Sequence, residues 1–411
     1  MKKKKQAGGH ASGLFYCFLS PIFRAKMPTF DEEKICLCAL NRIFGYEPRI
    51  ASALIRHLGS AKEVFSLGKD TLDEILGPHS KYAGQIGPAS LESAEKELIE
   101  ASALGIAFIG RGEKGYPELL SECEDAPSGL YIRSRTPETC LAGDRDFISI
   151  VGTRNISAYG RDWCRQIVQA LAHTEKPPVI VSGLAYGTDI TAHLAALDAG
   201  LRTIAVMATG ADSVYPAAHR GHAGRIAASD GSAAVTDYPL RTRAVAINFI
   251  RRNRIIAGIS RATVLIESRA RGGGMITARQ AFSYDRDVFA LPGRADDPMS
   301  EGCNILVRSG CAIPVTSMED FISSLGYTPE KKAEKNIAEI CRDRPAWTGR
   351  TDEIARVLLH IKKNRRISIQ ELADATGLGF RVTAEITGLL ESDGFISVDL
   401  MQRCSINGKN A

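Results

Sequence analysis

The sequence predicts an α/β fold of the Rossmann-like kind, a doubly wound and mostly parallel sheet, with a small helical N-terminal domain before it and a C-terminal winged-helix domain after it. Three observations carry this. Six short apolar runs, at 147–151, 179–181, 203–207, 233–236, 263–266 and 288–291, alternate with stretches of helical spacing, which is the pattern of a parallel sheet covered on both faces. Several of the runs close in a turn of small residues, and in such a sheet those turns share one rim. The segments on either side read as helices, with one further apolar run near the C-terminus.

Taken in order, residues 1–27 hold four lysines at 2–5 and then Leu14-Phe15-Tyr16-Cys17-Phe18-Leu19, an imitation of a signal peptide. The apolar run is short, Pro21 breaks it, and Arg24 and Lys26 stand where a small-residue cleavage site would be. The simpler expectation is a disordered extension ahead of a second possible start at Met27, in a cytoplasmic protein.

Residues 28–105 carry apolar residues at helical spacing, as in Ile35-Cys36-Leu37-Cys38-Ala39-Leu40, punctuated by Gly45, Gly59, Gly68 and Gly77. Residues 44–60 are similar to a helix-hairpin-helix unit, whose turn can offer backbone N–H groups to a phosphate. A purely structural helical bundle fits as well.

In residues 106–326 the turns are Gly152-Thr153-Arg154, Ser182-Gly183-Leu184-Ala185-Tyr186-Gly187, Thr209-Gly210-Ala211-Asp212 and Arg271-Gly272-Gly273-Gly274. Glycine lets the backbone approach a ligand, and a helix that starts after the turn directs free N–H groups and partial positive charge at it. Phosphate is the natural guest. Gly152-Thr153-Arg154-Asn155 lacks the later glycines of G-x-G-x-x-G, and no G-x-x-x-x-G-K-[ST] occurs, so dinucleotide binding and P-loop ATP hydrolysis are unsupported.

Between 238 and 266 there are six arginines, Arg241, Arg243, Arg251, Arg252, Arg254 and Arg261, and no acidic residue. Within that window Asn248-Phe249-Ile250-Arg251-Arg252-Asn253-Arg254 places charge and one aromatic ring together. Such a run is either a solvated face or one wall of a groove for a phosphate backbone. Asp189 and His193 share a helix face, and Glu267 ends a strand on the same rim; general acid and base chemistry and plain structural roles are both open for them.

Residues 327–347 are polar and rich in lysine and glutamate and read as a linker. Residues 348–411 show two short helices about a glycine turn and then Phe395-Ile396-Ser397-Val398, which look like a winged helix-turn-helix that binds DNA or protein. Its expected recognition helix carries only Arg381 as a positive charge, which weakens the DNA reading. The chain as a whole has 411 residues, net charge +5, 44% hydrophobic and 24% charged residues, ordinary for a soluble protein of two or three domains. Its ten cysteines are scattered with no C-x-x-C pair, as expected of reduced thiols without a zinc site.

Seven ordered motifs resemble the DNA-processing protein A (DprA, Smf) family: Ser149-Ile150-Val151-Gly152-Thr153-Arg154; Ser182-Gly183-Leu184-Ala185-Tyr186-Gly187-Thr188-Asp189 with Ala192-His193; Val214-Tyr215-Pro216; Phe249-Ile250-Arg251-Arg252-Asn253-Arg254-Ile255-Ile256-Ala257-Gly258; Gly274-Met275-Ile276-Thr277-Ala278; Pro292-Gly293; and Gly302-Cys303-Asn304. The resemblance spans about half the chain. It implies a dimeric, single-stranded DNA-binding protein that loads the RecA recombinase in natural transformation or recombination. The family's DNA contacts carry over to Gly152, Thr153 and Arg154, to Ser182, Gly183 and Tyr186, to Asn248, Phe249, Arg251, Arg252, Asn253 and Arg254, and to Gly272, Gly273, Gly274 and Thr277. Phe249 is the candidate base-stacking residue, with a core anchor as its other role, and Arg254 is open to burial against Glu267. Tyr186 stands where the family often has arginine, Gly273 where serine is common, and His219 near a usual asparagine. No catalytic residue, metal or cofactor is expected. Two alternatives remain: a phosphoribohydrolase-type enzyme, for which Glu267 and the turn at 271–274 are similar in outline, and a winged-helix DNA-binding regulator.

Overall fold

A computed structural model describes residues 28–328, 347, 349–364 and 367–406; the expected extension at 1–27 and most of the expected linker lie outside the described residues. The chain divides into two compact units, Met1–Pro329 and Glu330–Ala411.

The first unit opens with five helices, α1 (Glu32–Ile43), α2 (Pro48–Leu58), α3 (Ala61–Ser66), α4 (Lys69–Leu76) and α5 (Pro88–Ala103). Asp31 caps α1, accepting from the Lys34 N–H at 3.0 Å, and satisfies a donor that the helix itself cannot. Gly59 ends α2 in the left-handed region at φ 92°, where a side chain would be strained. The turn between α2 and α3 is the one resembling a helix-hairpin-helix, and its donors are spent within the fold. Glu33 accepts from the N–H groups of Ala61 and Lys62 at 2.7 and 2.8 Å, and Ser60 accepts from Glu63 at 3.2 Å.

The sheet and its covering helices follow as β1 (Ala107–Gly110), α6 (Glu118–Glu122), β2 (Gly129–Arg133), β3 (Phe147–Val151), α7 (Ala158–Ala172), β4 (Val179–Ser182), α8 (Thr188–Asp198), β5 (Thr203–Val206), α9 (Arg220–Ala228), β6 (Ala233–Thr236), α10 (Ala246–Ile259), β7 (Ala262–Leu265), α11 (Gly273–Ser283), β8 (Asp287–Ala290), α12 (Glu301–Arg308), β9 (Ile313–Pro314) and α13 (Met318–Ser324). The nine strands lie in the order β1-β2-β6-β5-β4-β3-β7-β8-β9. From β6 to β9 every neighbouring pair is parallel, while β1–β2 and β2–β6 are antiparallel. All six expected strands form within one or two residues of their predicted limits. The three unexpected strands, β1, β2 and β9, lie toward the two edges of the sheet.

Chain order runs outward from β3 in both directions, through β4, β5 and β6 on one side and through β7, β8 and β9 on the other. The switch point of this doubly wound sheet is thus at the carboxyl ends of β3 and β7, where a crevice opens. One face is covered by α7, α8 and α13 through Cys164, Ile167, Ala192 and Phe321. The other is covered by α6, α10, α11 and α12 through Leu120, Ile255, Ile256, Met275 and Leu306. Burying one such Leu or Ile side chain is worth about 1.5–3 kcal/mol.

The N-terminal helices are not a separate core. Leu37, Leu40 and Leu98 pack with Phe108, Tyr131, Met207 and Ala234 of the sheet side. Glu97 of α5 fastens the contact by accepting from the Tyr131 hydroxyl at 2.8 Å and the Leu240 N–H at 2.9 Å, with Arg42 paired to it.

The second unit contains α14 (Thr351–Lys363), β10 (Ile367–Ser368), α15 (Ile369–Thr376), α16 (Phe380–Ser392), β11 (Ile396–Val398) and β12 (Arg403–Ile406), its three strands antiparallel in the order β10-β12-β11. Ser368 and Glu371 form a capping box on α15, and Gly377 ends that helix at φ 70°. Leu372, Ile386, Leu390 and Phe395 belong to its core. Arg381 at the start of α16 is paired with Glu385 at 3.4 Å. Among the described residues no helix is long and apolar enough to cross a membrane, and no group of three or more His, Cys, Asp or Glu could hold a metal ion.

Candidate nucleic-acid interface

A cavity of about 770 Å³ occupies the switch point. Its floor is the turn after β3. The Thr153 N–H donates to the Glu267 carbonyl at 2.8 Å, and the Thr153 carbonyl accepts from the Thr188 N–H at 3.1 Å, so this turn is stitched between the end of β7 and the start of α8. Gly152 is required by the closeness of the stitching, because a Cβ there would stand 2.5 Å from Thr188 Oγ1.

Four helices begin near this rim, and their N-termini differ in what they offer. The α7 terminus is occupied: Ser157 caps Gly160 at 3.0 Å, and the buried Glu267 carboxylate accepts from the Ser157 N–H at 2.9 Å and its hydroxyl at 2.5 Å. The first N–H of α8 is spent on Thr153. By contrast α10 and α11 start from Val245 and Gly272 with no side chain capping them, and Ala244, Ala246, Gly272, Gly273 and Gly274 all line the cavity. Two helix N-termini, each with partial positive charge, face one space.

The side chains add full charges. Arg154, Arg269 and Arg271 are exposed on the lining, while Asp189, the only acidic residue among the described residues of the lining, is buried. Burial holds the Asp189 carboxyl above the usual carboxylate range, with the neighbouring Arg252 pulling it down. The Arg154 guanidinium lies 5.2 Å from the centre of the Phe249 ring, and Tyr215 meets that ring edge-on at 5.4 Å. Phe249 is half-buried and Tyr215 about half exposed, so both rings stand at the cavity with a cation beside them.

The structure brings Gly152, Thr153, Arg154, Phe249, Arg252, Asn253, Gly272, Gly273, Gly274 and Thr277 together around this cavity. It places six other expected residues elsewhere. Ser182 and Gly183 are buried beneath the rim, Ser182 donating to the Ile150 carbonyl at 2.6 Å. Tyr186 is exposed beside His219, ring centres 4.8 Å apart, and His219 is itself buried with Nδ1 2.8 Å from the Leu184 carbonyl. Asn248 is fully buried, its amide donating to the Arg243 carbonyl at 3.3 Å. Arg251 turns outward onto Tyr46.

Arg254 is buried, and its partner is not Glu267. It is ion-paired with Asp237 and donates to the Asp125 carbonyl at 2.6 Å. Arg252 lines the cavity but is buried too, donating to the carbonyls of Gly183 at 2.6 Å and of Val206. That burial pulls the Arg252 guanidinium below its usual range, with Asp189 opposing. Among the polar and aromatic lining residues, Ser268 and Arg269 were not singled out in the sequence, and Arg271 and Tyr215 appeared there only within a turn and a motif, not as site residues. The signal for the two arginines was their position between a strand end and the glycine that opens α11.

Fold and site together define a Rossmann-like α/β protein with an open crevice at the switch point of its sheet. Residues 107–326 match the family of DNA recombination-mediator protein A. A Synechocystis protein named Smf is 33% identical over 300 residues, covering 73% of this chain and 74% of that protein. A Bacillus subtilis protein named DNA processing protein DprA is 35% identical over 310 residues, covering 74% of this chain and 98% of the other. The X-ray structure of DNA processing protein A (DprA) from Streptococcus pneumoniae superposes with a TM-score of 0.58 at 28% identity, covering 72% of this chain and 98% of that one. The chain belongs to the DNA recombination-mediator protein A family.

Proposed function

We propose that this protein binds single-stranded DNA in the cavity at the β3/β7 switch point, without catalysing a reaction, and passes it to a RecA-type recombinase in transformation or recombination. The observation that carries the reading is the convergence of two uncapped helix N-termini, α10 and α11, with exposed Arg154, Arg269 and Arg271 on one cavity. Backbone donors and arginines hold phosphates, and the adjoining rings of Phe249 and Tyr215 suit unpaired bases, which every sequence presents. The names of the relatives, DNA processing protein and recombination mediator, support the same reading. A cytoplasmic site and a homodimer go with it. The second unit is read as a winged helix; with Arg381 already paired to Glu385, its α16 is better suited to a protein surface than to duplex DNA. Glu267, the carboxylate a phosphoribohydrolase would need, is tied to Ser157 at the head of α7, which argues against that enzyme.

The test is a titration of the full chain with single-stranded and double-stranded oligonucleotides at two salt concentrations. Tighter binding of the single strand is expected, with an affinity that falls steeply with salt, by a slope of about 0.7 per phosphate contact. Equal, salt-insensitive binding of both, or release of free base from nucleoside monophosphates, overturns the reading.

A further inference from the structure

Arg251, set in the sequence beside Arg252, does not face the cavity. Its guanidinium lies 4.6 Å from the centre of the Tyr46 ring and donates to the Tyr46 carbonyl. Tyr46 sits in the turn between α1 and α2 and is 52% exposed, so one face of a fixed ring is backed by a cation and the ring remains open to solvent. Ile250, the residue next to Arg251 on α10, is exposed and lines the cavity. Ile247, one turn earlier, is 46% exposed. Along α10, Ile250 thus belongs to the cavity lining while its neighbour Arg251 meets the N-terminal helices at Tyr46. The acidic neighbour of Tyr46, Glu47, is paired with Lys81 at 3.1 Å, and Arg49 is exposed beyond it.

We propose that Tyr46, held by Arg251, is a second stacking position for single-stranded nucleic acid, taking a base from the strand as it leaves the cavity across Ile250. A ring whose orientation is already set loses little freedom when a base stacks on it, and the guanidinium behind it adds attraction for the approaching strand. In this arrangement the N-terminal helices extend the groove as well as supporting the sheet, and a longer strand gains contacts that a short one lacks. The inference rests on the reading of the cavity as a single-strand site.

The experiment compares the full chain with Tyr46→Ala, Tyr46→Leu and Tyr46→Phe, using oligothymidylates of two lengths, one short enough to be held by the cavity alone and one several times longer. Tyr46→Ala and Tyr46→Leu are expected to weaken binding of the long oligonucleotide by about tenfold, the worth of one stacked base, and to leave the short one unchanged. Tyr46→Phe should match the unaltered protein. The leucine variant keeps apolar bulk in the turn, so the comparison survives if the alanine variant folds poorly. Long-strand binding that is unchanged in both variants overturns this inference while the cavity reading stands. Equal loss for both lengths also overturns it, by showing that Tyr46 acts only through the packing of α10. Failure of the unaltered protein to bind either length overturns the cavity reading and this inference with it.

Discussion

The guanidinium of Arg252 occupies the space that a side chain on Gly183 would need: its Nη1 donates to the Gly183 carbonyl at 2.6 Å, and a Cβ on Gly183 would stand 2.5 Å from Nη2. The arginine is therefore a strut between α10 and the ends of β4 and β5. Arg252→Met leaves two buried carbonyls, those of Gly183 and Val206, without that donor, at a cost of about 1–3 kcal/mol for each group left unpaired. Gly183→Ala forces the guanidinium aside and should cost about 1–3 kcal/mol by overpacking. Urea denaturation measures both, and an Arg252→Met protein as stable as the parent would show that the strut is dispensable.

Arg254 and Arg154 should separate stability from DNA binding. Arg254 is buried against Asp237, so Arg254→Met leaves a buried carboxylate alone and is expected to lose about 3–5 kcal/mol of stability. Arg154→Ala and Arg271→Ala touch exposed groups on the cavity rim, and each should lower the salt dependence of single-strand binding by about 0.7 in log–log slope with stability nearly unchanged. The reverse pattern, a flattened slope with Arg254→Met and none with the rim arginines, would mean that the groove has been drawn on the wrong residues.

Arg252 and Arg254 also show where sequence reasoning reached its limit. The six parallel strands were legible because buried strands between covering helices are nearly continuous runs of Val, Ile and Ala, and the turn at 272–274 was legible because consecutive glycines at a strand end have few other uses. The acid-free window at 238–266 suggested an open basic wall. Its strongest counter-ion, Asp237, stands one residue before the window begins; apart from the Asn253 side-chain oxygen beside Arg252, the other acceptors of Arg252 and Arg254 are backbone carbonyls at 125, 183 and 206. Composition does not register carbonyl acceptors contributed by distant strands, so buried and solvated arginines look alike until the fold is known. The same blindness hid Arg269, which lies beyond the window and gains its place from the turn into α11.

The glycines of that turn are not equivalent. Nothing lies within 4 Å of a Cβ built on Gly273, whereas one on Gly274 would meet Leu265 Cδ1 at 2.7 Å and the Gly152 Cα at 3.1 Å. Gly274→Ala should cost about 1–3 kcal/mol. Gly273→Ala sits at an open position in the first turn of α11 and should leave the protein as stable or more stable by up to about 1 kcal/mol. If the backbone there meets a phosphate, the same methyl group should nevertheless weaken single-strand binding. Thermal denaturation and DNA titration of this one variant decide the matter, and full affinity would place the strand away from the head of α11.

His193 should set the lower pH limit of the fold. It is fully buried, with Nδ1 2.7 Å from Thr203 Oγ1. The Thr203 hydroxyl donates its hydrogen to the Ile180 carbonyl at 2.9 Å, which leaves it to accept from His193 Nδ1. Burial, and after it the nearby Arg252, push the imidazole pKa down from 6.5 to about 3. A folded pKa below the unfolded one means that the unfolded chain takes up a proton which the folded chain refuses. The contribution is fully present above the unfolded value of 6.5 and is lost as pH falls from there toward the folded value. Each pH unit in that window removes about 1.4 kcal/mol of stability. Urea titrations at several pH values between 7 and 5 should therefore show a shallower acid dependence in His193→Gln, by about one proton, than in the parent. If the two dependences are equal, His193 is not the group that opposes protonation, and the acid limit lies with another residue.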